Sequence, residues 1–133
     1  MNKATQGRLL AYETVYAEAQ RRGREAGEQV EVQPMVVEER VNPLDDTSVM
    51  KRIWHVPGGV CGFAWVLFPD CRSPFVKWLL AQGHAGKRYG KSGATIWIYA
   101  HGQSYTRKKA HAEAMCDYFR RVKIKCSVGS ELD

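Results

Sequence analysis

Residues 60–68 read "VCGFAWVLF", a run without a charged side chain. Turn formers bracket it, "PGG" (57–59) before and "PDCRSP" (69–74) after. A short apolar run rich in aromatic and branched residues, closed by turns, reads as a strand. Its near-total apolarity predicts a strand running through the centre of a sheet. Gly62 inside it marks a bulge or a close approach of other groups.

Working outward, "MKRIWHV" (50–56) reads as a second strand joined to it by the "PGG" turn, and "EVQPMVVEERV" (31–41) as an extended segment. Pro34 lacks an amide hydrogen, so that segment belongs at a sheet edge. Between them "NPLDDTS" (42–48) is a loop of turn formers. The N-terminal stretch 5–25 sets Leu9, Tyr12, Tyr16 and Ala19 at helical spacing, with Val15 beside them. Gly27 is a plausible stop for that helix.

Downstream, Ser73 can cap a helix with Pro74 at its first position. Its inward residues would be Phe75, Trp78, Leu79 and either Leu80 or Ala81, and Gly83 would end it. "ATIWIYA" (94–100) is a strand, and "HGQ" (101–103) a turn. Ser104 or Thr106 caps a last helix, about 105–122, with Ala112, Met115, Phe119 and Val122 on its buried stripe. "KIKCSVG" (123–129) is a final strand. The order α-β-β-β-α-β-α-β predicts a single-domain two-layer sandwich over residues 1–133, in the α+β or α/β class, with helices on one face of a sheet. The N-terminal helix, 1–28, would pack on or extend from the core, 30–133. Crossover logic suggests that the later strands are parallel.

The chain has 133 residues, enough for one modest core. No apolar run approaches a membrane span, and "MNKATQGRLL" lacks the apolar segment of a secretion signal. The expectation is a cytoplasmic protein, or one carried in a particle made there. In such a setting Cys61, Cys71, Cys116 and Cys126 read as free thiols. The net charge is +6, unevenly placed: residues 1–71 carry −2 and residues 72–133 carry +8. A basic half beside a near-neutral half suggests a directed positive surface, suited to nucleic acid or to an acidic protein.

The stretch "GHAGKRYGKS" (83–92) resembles a phosphate-binding loop only superficially. Such a loop needs four residues between its glycines, whereas Gly86 and Gly90 have three between them. It must also follow a strand and open a helix, the reverse of the order here. What remains is a basic loop with Lys87, Arg88 and Lys91 for phosphate and Tyr89 for stacking on a base. In the last helix, Arg107 and Lys108 place positive charge where the helix dipole disfavours it. Lys109 with Glu113 and Asp117 with Arg121 have the spacing of internal ion pairs. Arg120 and Arg121 add charge near the helix end. These eight positions, Lys87, Arg88, Tyr89, Lys91, Arg107, Lys108, Arg120 and Arg121, are the candidate partner-binding residues.

No catalytic set stands out. His111 and Cys116 lie five apart on one helix and turn away from each other, and His101 shares no ligand spacing with His111. Glu38 with Glu39 and Asp45 with Asp46 are adjacent surface pairs. Neither a cofactor nor a metal is called for.

Taken together, "GVCGFAWV" (59–66), "SPFVKWLLAQG" (73–83), "YGKSGATIWI" (89–98), "GQSYTRKKAHAEAM" (102–115) and the ending "GSELD" (129–133) resemble a group of small uncharacterised proteins encoded by tailed bacteriophages. The resemblance spans about 58–133. It implies a bacterial cytoplasm as the workplace and brings no catalytic residues. The apolar Leu132 predicts that the ending folds back onto the domain. The leading expectation is a non-enzymatic accessory protein of infection that contacts nucleic acid or an acidic host-protein surface through its basic half. A virion component, such as a capsid decoration or connector subunit built as a homo-oligomer, is an alternative. A small enzyme with a site around Cys71, His84 or His101 is another.

Overall fold

The apolar run 60–68 contributes β3 (Gly62–Phe68), which lies inside a four-stranded sheet of order β4-β5-β3-β6. The computed structural model describes residues 2–31, 35–40, 50–56, 60–88 and 91–133, with side chains for 2–31, 60–88 and 91–133. Around β3 stand α1 (Lys3–Gln29), β1 (Met35–Arg40), β2 (Met50–Val56), α2 (Pro74–Ala81), β4 (Gly86–Lys87), β5 (Ala94–Trp97), α3 (Tyr105–Arg121) and β6 (Ser127–Leu132). The expected α+β order holds, with the two-residue β4 added inside the basic loop.

Every pair in the sheet is antiparallel, so the parallel pairing suggested by crossover logic does not occur. Strand β5 enters beside β3 from the end at which β3 leaves, and α3 then crosses over so that β6 runs in the same direction as β5, with β3 between them and antiparallel to both. Strand β2 pairs with β1 in a separate two-stranded sheet, so it forms no hairpin with β3. Pro34 and the 42–48 and 57–59 turns lie outside the described residues. β6 covers the ending "GSELD": Leu132 pairs with Gly62 and Gly129 with Trp65, and the Asp133 amide donates to the Cys61 carbonyl at 3.0 Å.

All three helices cover one face. Phe68 of β3 meets Phe119 of α3 at 5.4 Å and Phe75 of α2 at 6.5 Å between ring centroids. Tyr12 of α1 reaches Phe75 at 5.5 Å and Trp78 at 5.9 Å. Ala64, Val66, Ile96, Leu79, Ala112, Met115, Cys116 and Cys126 complete this core. Val122 was expected in the buried stripe of α3, yet it is exposed, because the helix ends there. Lys123 turns left-handed at φ 69, and the Ile124 amide closes back on the Phe119 carbonyl at 2.8 Å.

The expected stop at Gly27 is wrong for a steric reason. Helix α1 continues to Gln29, and Gly23 and Gly27 are buried within it. A methyl group on Gly23 would collide with the His111 ring, and one on Gly27 with the His101 ring. The two glycines, one turn apart, let α1 lie directly on that histidine pair.

Candidate nucleic-acid interface

The alternation of β3 sends Ala64, Val66 and Phe68 to the helices and Phe63, Trp65 and Leu67 to the other face. Register then assigns the neighbours. Trp97 of β5 and Gly129 of β6 flank Trp65, Thr95 and Ser127 flank Leu67, and Glu131 lies opposite Phe63. Among the described residues, no element packs over this second face. Phe63 is 40% exposed and Trp97 42%, well above core values.

The aromatic rings on this face form a contiguous row. Trp65 and Trp97 lie 4.6 Å apart with their planes 39° apart, and Phe63 meets Trp97 edge-on at 6.3 Å. Gly129 leaves the room Trp65 occupies, since a Cβ there would collide with the indole. Tyr99, 87% exposed, follows just beyond the end of β5.

Cations stand at both ends of the row. At one end, Lys87, Arg88 and Lys91 surround a groove of about 300 Å³ shared with Trp65, Thr95 and Trp97. Arg88 is fixed there: its amide donates to the Gly93 carbonyl at 3.1 Å and its guanidinium to the Ser92 carbonyl at 3.3 Å. At the other end, Lys108 holds its ammonium 5.5 Å above the Phe63 ring.

The predicted partner-binding residues therefore separate. Lys87, Arg88 and Lys91 gather beside the aromatic row, while Tyr89 lies outside the described residues. Lys108, expected to be a free surface cation, is only 6% exposed because its stem packs down to bring the charge over Phe63. Arg107 is half-buried, with its amide donating to the capping Ser104 hydroxyl at 3.3 Å. Arg120 has a structural role, donating twice to the Cys126 carbonyl at 3.0 and 2.8 Å. Arg121 lines a groove between α1 and α3 with Arg21, Arg22, Glu25 and Asp117, away from the open face. Neither expected pair, Lys109 with Glu113 nor Asp117 with Arg121, is among the ion pairs of the described residues. Lys109 instead lies 5.9 Å over the Tyr105 ring.

The residues that sequence reasoning missed are Phe63, Trp65 and Trp97. The signal for Phe63 and Trp65 was present as every second position of "GFAWVLF", but uniform apolarity read as burial on both sides, and Trp97 lies in the equally apolar "ATIWI". Also unforeseen is the meeting of His101 and His111, with Nε2 and Nδ1 3.0 Å apart, while His111 Nε2 reaches Gln20 Oε1 at 3.1 Å. Burial pushes His111 down to about 4, helped by the neighbouring His101 and Arg24 charges. His101 is also lowered, first by burial. Cys71 and His84 line separate hollows, so the structure does not join them into the expected Cys/His site. Among the described residues, no cluster of three or more His, Cys, Asp or Glu groups could hold a metal ion, and no helix is long and apolar enough to cross a membrane.

Compared with protein-family models, with curated proteins and with solved structures, the chain matches none.

Proposed function

We propose that this chain is a non-catalytic binding module for single-stranded nucleic acid, working in the phage-infected bacterial cytoplasm that its sequence resemblance implies. The observation that carries the reading is the Phe63, Trp65 and Trp97 row on a helix-free sheet face, with Lys87, Arg88 and Lys91 beside it. An antiparallel sheet with exposed rings is a platform on which two or three unpaired bases can stack. Each stacked base is worth about 1–3 kcal/mol, and any base has a face to offer. The cations then hold the backbone. Three phosphate contacts to a single strand give a log–log salt slope of about −2. A duplex hides its base faces, so it should bind more weakly.

The test is a titration with oligothymidylate at low salt, read by tryptophan fluorescence. Of the four tryptophans, Trp65 and Trp97 stand on the platform, Trp78 in the core and Trp54 on β2, so the signal lost in Trp97→Ala belongs to the platform. Quenching that weakens about tenfold in Trp97→Ala, and falls with salt at that slope, supports the reading. Absence of binding to single-stranded DNA and RNA at low salt overturns it. Capture of an acidic host protein that survives nuclease would instead assign the same cations to a protein partner.

A further inference from the structure

A second, deeper hollow of about 570 Å³ opens around the sheet edge from the platform. Tyr16, Gln20 and Arg24 of α1 form one wall, a stripe one turn apart that spans about 12 Å. His84, Gly86 and Lys87 of the 83–87 segment, with Ile96 and Ile98, complete the lining. Tyr16 stacks on His84 with centroids 4.0 Å apart and planes 17° apart. Lys87, Thr95 and Trp97 line both this hollow and the platform groove, so the two adjoin along β5.

The hydrogen bonds along the wall run in one direction. Gln20 Nε2 donates to the Tyr16 hydroxyl at 3.0 Å, which leaves Gln20 Oε1 to accept from His111 Nε2. His111 Nδ1 is then bare and accepts from His101 Nε2. Each proton is assigned, and the chain ends at Tyr16. Its oxygen accepts, so its own proton is the outermost donor, with no acceptor among the described residues. The donor hydroxyl, with Lys87 and Arg24 lining the same hollow, gives the groups an anionic oxygen would meet. The stacked Tyr16 and His84 rings, with Ile96 and Ile98, suit a planar group.

We infer that this hollow is a subsite for a phosphorylated nucleotide, taking the terminal phosphate and end base of a single strand laid across the open face. The inference rests on the platform reading for the rest of the strand, and on the hollow alone for its end. Oxygens of a phosphate monoester accept from the Tyr16 hydroxyl and pair with Lys87 or Arg24. A hydroxyl end offers neither the charge nor the acceptor oxygens.

Four probes test it: oligothymidylate with a 5′-phosphate, with a 3′-phosphate and with both ends unphosphorylated, and thymidine monophosphate alone. One phosphorylated end should bind about tenfold tighter than the unphosphorylated strand, and the mononucleotide should shift the His84 and His111 ring resonances. Tyr16→Phe keeps the ring and removes the donor, and Arg24→Gln removes an exposed charge. Each should abolish the phosphate advantage, read within each variant as the ratio of phosphorylated to unphosphorylated strand affinity. Equal affinity for all three strands, with no mononucleotide shift, overturns the inference while the platform survives. Mononucleotide binding lost in Tyr16→Phe, with no strand bound at all, overturns the platform and keeps the hollow. A phosphate advantage that persists in both variants places the phosphate elsewhere and ends the proposal.

Discussion

The two faces of the sheet carry similar side chains and have different fates. Along β3, Phe68 points to one face and Phe63 and Trp65 to the other. Phe68 is fully buried among Phe75 and Phe119, whereas Phe63 and Trp97 keep about two-fifths of their surface in water. The covered rings contribute about 1.5–3 kcal/mol each by leaving water. The open rings forgo most of that and keep their faces available. An aromatic residue in a strand is thus ambiguous until a second layer is placed, so changes on the two faces should separate stability from binding.

The largest contrast should come from truncating one ring on each face. We expect Phe119→Ala to lower stability by about 3–5 kcal/mol in urea unfolding, since it opens a cavity under Phe68 and Phe75. Trp97→Ala should cost less than about 1 kcal/mol in the same measurement. Equal losses would mean that the open face is packed against something in solution.

Acid should strip stability from the covered side through His111. Its folded value of about 4 lies below the ordinary 6.5, so the unfolded chain binds the proton first as pH falls. Stability is complete above pH 6.5 and declines between 6.5 and 4, by up to about 3 kcal/mol. The group is faced by His101, by Gln20 and by the Arg24 charge, and only the last keeps a fixed charge through this window. Unfolding in urea across this range should show a shallower pH slope for His111→Gln than for the parent chain. Identical slopes would remove His111 as the cause.

The helix contact gives a smaller effect. Gly23→Ala should destabilise by about 1–3 kcal/mol through the clash with His111, outweighing the gain of about 1 kcal/mol in helix propensity. Gly7→Ala, where nothing lies within 4 Å, should keep that gain. A Gly23→Ala chain with a raised melting temperature would show that α1 does not sit on the histidine pair.

The smallest effect belongs to the edge cations. Replacing Lys87 or Lys91 with Gln should leave folding intact, because both are exposed. Each should flatten the salt slope of strand binding by about 0.7. An unchanged slope in both would move the phosphate contacts away from this loop.

Much of the molecule was legible along the chain. The periodicity of Leu9, Tyr12, Tyr16 and Ala19, the caps at Ser73 and Ser104, and the apolar run of β3 are local patterns. Such patterns report the elements they sit in, because helices and strands have fixed periods. The 87–91 stretch was also legible as a cluster of positive charge, since its charges are neighbours in sequence.

Three things were decided only by the tertiary arrangement. Strand direction and partners depend on which end of the sheet each helix returns to, a global property. Which apolar face stays open depends on where all three helices lie, and that turned Phe63, Trp65 and Trp97 from apparent core into a platform. The meeting of Tyr16, Gln20, His84, His101 and His111 requires α1 to close on α3 and on the loop before β4, which the buried glycines of α1 permit. The sequence by itself determined the elements and the distribution of charge, because these are local. Only the packing of layers decided which rings face water and which donors converge, because both depend on residues far apart in the chain.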